Sequence, residues 1–400
     1  MLPCRGLEYY LDKLARTEFH ILHSSWSTFK VCGLAGMALA IALSLSLAIY
    51  QGLSLWVIAG IILTAELVLL GLTMAAKVVT GEERIVYIQH LIAVMLVVTA
   101  LLWLWGQPIL PYLDITILGV ALVVAVGRVG CLMVGCCHGQ PARWGVSYGE
   151  EHAAAGLPPY LVGVRLFPVQ AVEALWLLGT VIVGSFMVLR GNAAGDALAW
   201  YIISYNSGRF FIEFARGDPA RPYLWGFSAA QWMSVLLMLV VAGVELSGLL
   251  PFHAWHLGVV VLVAITMVVV AVRGWMRGPV KAQLLSARHI QEVAGAVGLA
   301  SELAIQGCDI CGQGPGPSPI HIGCTSLGVQ ISSSRIKSAS GYIHHYAISQ
   351  EKGEMSETTA AILGNLLIKL RHQSGFYEYI RGNNSVFHLV VHPEPAVAPF

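Results

Sequence analysis

The sequence predicts an all-α polytopic membrane bundle of about eight transmembrane helices followed by a small soluble α+β C-terminal domain, and three observations predict it. Of 400 residues, 56% are hydrophobic and only 11% are charged, with a mean hydropathy of +0.71, far from the balance of a soluble globular domain. Apolar stretches near the roughly 20 residues needed to cross ~30 Å of hydrocarbon as a helix recur along the chain. After the last of them the composition changes abruptly at Arg273, Arg277 and Lys281.

In chain order, residues 1–30 place Leu7, Tyr10, Leu11, Leu14 and Phe19 at helical spacing, as in a helix lying on the membrane surface or an ordinary solvated one. No leading apolar run marks a cleavable signal peptide. The expected spans are Val31 to Tyr50, Leu53 to Ala76, Tyr87 to Trp105, Leu113 to Gly135, Pro168 to Arg190, Gly195 to Phe214, Phe227 to Leu246 and Trp255 to Trp275. Asp114 blurs the start of the fourth, and polar residues blur the end of the sixth. This gives a transmembrane domain over 31–276 and a C-terminal domain over 282–400. Within the latter, Val293 to Ile305 reads as a short helix, Ser326 to Ile336 and Tyr342 to Ser349 as strands, and Glu357 to Arg371 as an amphipathic helix. A last pair of strands flanks the turn Arg381-Gly382-Asn383-Asn384, and Gly312 to Pro319 is a Gly/Pro-rich linker or loop.

A formal net charge of +1 with no basic run excludes nucleic acid as an expected partner. Lys and Arg concentrate in the termini and even-numbered loops, from Arg5 to Lys281, whereas Arg190 stands alone in the other loops. The positive-inside rule therefore predicts cytoplasmic termini and a cytoplasmic C-terminal domain.

Ionisable groups inside spans cost roughly 2.5 to 3.5 kcal/mol each on insertion scales, so they face cavities and one another. Arg128 lies near the end of span four, Glu173 near the start of five, Arg209 and Glu213 near the end of six, Gln231 at the start of seven and His90 at the start of three. Alternation of the spans brings all of these to one membrane level. Two arginines beside an interface suit a phosphate, because guanidinium offers a planar fork of donors that stays charged at depth. A phospholipid headgroup is the natural ligand, with Tyr205 one turn before Arg209. The alternative is that the arginines and glutamates are ion pairs holding the helices together.

Gly127-Arg128-Val129-Gly130, the following Gly135 and Gly139, Phe167-Pro168-Val169-Gln170-Ala171-Val172-Glu173, and Tyr205-Asn206-Ser207-Gly208-Arg209 through Arg216 resemble, in order and spacing, the signatures of the prolipoprotein diacylglyceryl transferases. Gln231 continues the same order, and the resemblance covers roughly residues 30 to 246. It implies transfer of the diacylglyceryl group of phosphatidylglycerol to the lipobox cysteine thiol of a preprolipoprotein. The implied partners are phosphatidylglycerol, the preprolipoprotein signal peptide and membrane lipid, and no cofactor is required. The implied place is the bacterial cytoplasmic (inner) membrane. Carried over, Arg128 and Arg209 hold the phosphate and stabilise the departing glycerol phosphate, Glu173 orients them and Tyr205 assists. Gly130, Glu213, Arg216 and Gln231 complete the expected substrate site. The family places its site near the outer membrane face, against the charge count.

The chain also departs from the family. Cys131, Val134 and Cys136 replace asparagines and a glutamate, and Phe167 replaces a histidine. That leaves the general base open between His90 and His138. Eight cysteines, at positions 4, 32, 131, 136, 137, 308, 311 and 324, fall mainly into two clusters. Cys131, Cys136 and Cys137 read as packed thiols, reactive thiols or a metal site, although adjacent cysteines do not easily share a tetrahedral ion with a helical third. Cys308, Cys311, His321 and Cys324 have ligand types suited to a structural zinc. Two other functions fit the same residues: a paralogue that uses an anionic phospholipid with a different acceptor, and a non-catalytic membrane sensor or assembly protein.

Overall fold

A computed structural model of the chain describes residues 4–21, 24–81, 87–158, 161–217, 223–276, 284–285, 287–310, 321–338, 341–371 and 376–392. Helix α1 (Cys4–Leu14) and a hairpin of β1 (Glu18–Ile21) and β2 (Ser24–Ser27) lead into α2 (Thr28–Tyr50), α3 (Leu55–Thr80), α4 (Tyr87–Leu104) and α5 (Ile109–Val134). Strand β3 (Pro141–Ser147), helix α6 (Glu150–Ala154) and strand β4 (Arg165–Leu166) form a cap before α7 (Val169–Leu189) and α8 (Asp196–Ile212). A 3-10 turn over Glu213–Ala215 and a short pairing of β5 (Tyr223–Leu224) with β6 (Phe227–Ser228) precede α9 (Ala229–Leu246) and α10 (Ala254–Met276).

Long helices thus occupy each of the eight expected stretches. Six of them, α2, α3, α5, α7, α9 and α10, are long and apolar enough to cross a membrane. Helix α4 is apolar but shorter, and α8 has only 17 residues and a lower hydropathy. Its polar residues, among them Ser204, Asn206 and Arg209, lower its hydropathy.

Helix α5 is central, packed against α2, α4, α7 and α8. Tyr112, Ile115, Leu118 and Ala121 along it are fully buried. The outer helix faces expose Leu63, Leu70, Ile182, Leu239, Val261 and Ile265. Lipid offers these side chains the solvent that water would not, so close van der Waals packing must join the helices. At Gly130 a Cβ would stand 2.9 Å from the Cys32 Cβ, which explains why that crossing of α5 over α2 carries no side chain.

Asp114 has a structural explanation. Helix α5 begins earlier than expected, at Ile109, and the buried Asp114 carboxylate accepts from the Gly195 and Leu198 backbone N–H groups at 2.7 and 2.8 Å. It therefore satisfies orphan donors at the start of α8, as an N-cap carried by another helix. Nearby, His253 lies 2.9 Å from Asp196 and His256 contacts Glu245.

At the other end of α5, the cap finishes the helix. The last-turn carbonyls of Leu132 and Met133 are met by the Tyr148 hydroxyl at 2.8 Å, by the Arg16 N–H at 2.9 Å and by the His152 ring at 3.1 Å. Leu11 of α1 is buried in the apolar core of this cap with Leu132, Val146, Tyr148 and Leu166, and Asp12 pairs with Arg165 at 3.2 Å. Helix α1 is therefore docked on the cap along one side, while Leu7, Tyr10 and Leu14 remain exposed on it.

The C-terminal region contains α11 (Ala287–Ile310), β7 (Ile322–Cys324), β8 (Val329–Ser338), β9 (Gly341–Gln350), α12 (Glu357–Arg371), β10 (Tyr377–Arg381) and β11 (Phe387–Val391). The strands form one antiparallel sheet in the order β10-β11-β9-β8-β7. Val329, Ile331, Tyr346, Ile348, Phe387, Leu389 and Val391 point inward against Val293, Val297, Leu363, Leu367 and Leu370 of the two helices. Helix α12 begins and ends at the expected residues. Helix α11 is longer than expected, and β7 was not anticipated. The Gly312 to Pro319 stretch lies outside the described residues.

Candidate active site

Helix α5 ends, α7 begins and α8 ends at one level, and backbone hydrogen bonds join the three segments there. Gln140 N–H donates to Ala215 O at 3.0 Å, Gly217 N–H to His138 O at 3.0 Å, and Phe167 N–H to Gln140 O at 2.9 Å. The Gln140 side chain adds bonds to the carbonyls of Phe214 and Arg216, at 3.2 and 3.3 Å. Further support comes from Gly208, where a Cβ would stand 2.2 Å from Trp176 Nε1. Its absence lets the Trp176 indole donate to Ser204 O at 2.9 Å and lock α7 against α8.

Glu173 stands at the centre, with 1% of its side chain exposed. Arg128 Nε lies 3.0 Å from Oε2, Arg209 Nη1 lies 2.8 Å from Oε1, and Arg216 Nη1 lies 3.9 Å from Oε2. The Tyr205 hydroxyl donates to Oε1 at 2.9 Å, and its ring stacks on Tyr201 at 5.6 Å. Arg209 also reaches Glu213 Oε2 at 3.3 Å, one helical turn along. Three guanidiniums against two carboxylates leave one net positive charge. Arg128 and Arg209 keep 12% and 11% of their side chains exposed, whereas Glu173 and Glu213 keep 1% each. An approaching anion therefore meets guanidinium edges, with the carboxylates behind them holding the forks in place.

Beside this cluster, the Sγ atoms of Cys131, Cys136 and Cys137 all lie within 4.8 Å of one another. The chain leaves α5 through left-handed conformations at Gly135 (φ 88°) and Cys137 (φ 53°). The second is uncommon for a residue with a Cβ. Gln170 holds the turn by donating to Cys136 O at 2.9 Å. Hydrogen bonds from the Cys131 and Cys136 thiols, then the charges of Arg216 and Arg128, hold the Cys137 thiol well below the usual thiol range. The turn thus brings the adjacent Cys136 and Cys137 thiols together with the helical Cys131.

These bonds bring together Arg128, Glu173, Tyr205, Arg209, Glu213 and Arg216. The other expected site residues are placed differently. Buried His90 lies 3.5 Å from Thr73 of α3. Gln231 forms a capping box with Ser228 at the start of α9 and donates to Phe210 O at 3.2 Å, and Gly130 lies in the α2 crossing. His138 Nδ1 is 3.0 Å from Gly139 O. Sequence reasoning missed Trp176, Gln140 and Gln170, whose roles rest on long-range contacts to backbone.

For a metal, Cys131, Cys136 and Cys137 are the convergent grouping of three or more candidate ligands among the described residues. Of the four residues expected to bind a structural zinc, His321 and Cys324 are exposed at β7, Cys311 lies outside the described residues, and the same holds for the side chain of Cys308.

Residues 88–246 match the family model for prolipoprotein diacylglyceryl transferase. A phosphatidylglycerol–prolipoprotein diacylglyceryl transferase 2 of Clostridium perfringens is 34% identical over 134 residues, 33% of this chain and 49% of that one. Phosphatidylglycerol–prolipoprotein diacylglyceryl transferases of Dehalococcoides mccartyi and Streptococcus agalactiae are 33% and 31% identical over 128 and 131 residues, 32% of this chain in both cases and 47% and 49% of theirs. The chain thus spans about half the length of the curated relatives it matches. The matched segment contains the Arg128, Glu173, Arg209 and Arg216 cluster, and through residues 88–246 the chain is similar, at moderate identity, to the prolipoprotein diacylglyceryl transferase family.

Proposed function

We propose that the protein transfers the diacylglyceryl group of phosphatidylglycerol to the lipobox cysteine thiol of a preprolipoprotein. The observation that carries this reading is the convergence of Arg128, Arg209 and Arg216 on the buried Glu173 carboxylate. Alkylation of sulfur needs a thiolate and a stabilised anionic leaving group. Arg128 and Arg209 supply the second requirement by binding the phosphate and the charge that develops as glycerol phosphate departs. Glu173 positions both arginines, Tyr205 positions Glu173, and Arg216 adds positive charge from the loop after α8.

Labelled phosphatidylglycerol and a lipobox peptide test the reading. Arg128→Ala and Arg209→Ala each lower transfer by about 10²–10³-fold, the effect of losing one preorganised donor to a developing anion, while membrane insertion is unchanged. Arg128→Lys keeps the charge, loses the fork and falls between. Full transfer by either alanine variant overturns the proposed site. Binding of phosphatidylglycerol without transfer to any lipobox peptide overturns the acceptor and points to a different one.

A further inference from the structure

We propose that Cys131, Cys136 and Cys137 form a three-thiolate zinc site with an open fourth position that takes an incoming acceptor thiol. The claim about the acceptor rests on the transferase reading; the claim about the site does not.

Zinc–sulfur bonds of about 2.3 Å place the sulfurs of a tetrahedral or trigonal site about 3.8 to 4.0 Å apart. The three Sγ atoms, within 4.8 Å of one another, need to close by about an ångström at most. All three cysteines are free of disulfides. The turn that gathers them carries the uncommon φ of 53° at Cys137, a conformation that persists only where the surroundings impose it. Those surroundings are specific: Gln170 holds Cys136 O, and the Tyr148 ring packs under Gly135, where a Cβ would stand 3.3 Å from it. Three thiolates and one divalent cation carry a net negative charge, and the Arg216 and Arg128 guanidiniums lie near enough to Cys137 to offset it.

An all-sulfur donor set selects a thiophilic ion rather than magnesium or calcium. Three protein ligands leave a coordination position for water or substrate, the pattern of reactive zinc sites. A thiol bound there is deprotonated outright, which supplies the thiolate that alkylation requires where the base is otherwise unassigned. The balance is simple. The acceptor thiol loses its proton to solvent as its sulfur is bound, and a sulfur lone pair then forms the C–S bond to the glyceryl carbon. The C–O bond to phosphate breaks, its electron pair leaves on glycerol phosphate as the second negative charge, and no oxidant or reductant is consumed.

The test uses the full chain purified in detergent, loaded with zinc and freed of excess. Elemental analysis gives one equivalent fewer in monodisperse Cys131→Ser, Cys136→Ser and Cys137→Ser than in the wild type; unchanged content in these variants overturns the site. A measurement on the wild type avoids any folding defect: zinc loading protects Cys136 and Cys137 from iodoacetamide, read by peptide mapping, and equal labelling of zinc-loaded and chelator-treated protein overturns it. For the fourth position, cobalt-substituted protein is titrated with N-acetylcysteine amide. The thiolate-to-cobalt absorption increases, and the serine analogue leaves it unchanged. No response to the thiol overturns the acceptor claim without touching the phospholipid reading, which is measured on the arginine variants.

Discussion

The helical bundle and the C-terminal sheet bury opposite kinds of residue at their most informative points. In the sheet, Val329, Ile331, Ile348 and Leu389 are inside, and Ser334, Lys337 and Glu378 are outside. The bundle exposes Leu63, Leu70, Ile182 and Val261 and buries Asp114, Glu173, Glu213 and Glu245. Water drives the first arrangement through apolar burial. Lipid removes that drive, and a charge can persist in the second only with partners. A buried carboxylate in the bundle therefore reports a specific constellation, whereas a buried leucine in the sheet reports packing.

The largest effect that can test this contrast is expected at Glu173. Replacing it with Leu leaves three guanidiniums facing one another around an apolar side chain. Breaking a buried ion pair this way costs about 3–5 kcal/mol, and the variant loses both transfer and thermal stability of the detergent-solubilised bundle. Leu363→Ala in α12 removes a fully buried side chain from the sheet's core and costs about 2–5 kcal/mol there. Limited proteolysis shows cleavage within residues 321–392, while phosphatidylglycerol binding by the bundle stays at the wild-type level. A loss of binding would show that the two regions are one cooperative unit.

Smaller effects are expected at Tyr205 and at the histidines of the C-terminal sheet. Tyr205→Phe removes one hydrogen bond to Glu173, worth about 1.5–3 kcal/mol when the acceptor is charged. Transfer falls by about 10- to 100-fold, and the thermal stability of the detergent-solubilised bundle falls by less than in Glu173→Leu. The least effect is one of pH on the C-terminal region. Burial, then the nearby His388, lowers the His345 pKa, and burial, then Arg371 and Arg335, lowers that of His344. The unfolded chain therefore binds more protons just below the ordinary histidine value of 6.5. Stability is complete above that value and declines as pH falls below it. The melting temperature of the C-terminal sheet is expected to drop between pH 7.5 and 5.5, and a rise would contradict the sign.

Much of this arrangement was legible in the residues. Stretches of spanning length mark the helices because lipid demands continuous apolar sequence. Arg128, Glu173 and Arg209 could be grouped because charges within such stretches stand out and helix alternation sets their level. Glu357 and Arg371 bound α12 in both sequence and structure. What escaped depends on contacts far apart in the chain. Asp114 looked like an interruption of a span, yet its carboxylate caps α8. The cap between α5 and α7 has short strands whose pairing no periodicity announces. The convergence of Cys131, Cys136 and Cys137 depends on a left-handed turn at a non-glycine residue, which composition does not signal.

The arginine site is tested most simply by the binding of phosphatidylglycerol, against zwitterionic phosphatidylcholine, to the wild type and to Arg209→Ala by native mass spectrometry from detergent. Retention of phosphatidylglycerol over phosphatidylcholine by the wild type, and loss of that preference in Arg209→Ala, are expected. Equal retention of the two lipids by the wild type, or a preference unchanged in Arg209→Ala, would contradict that site.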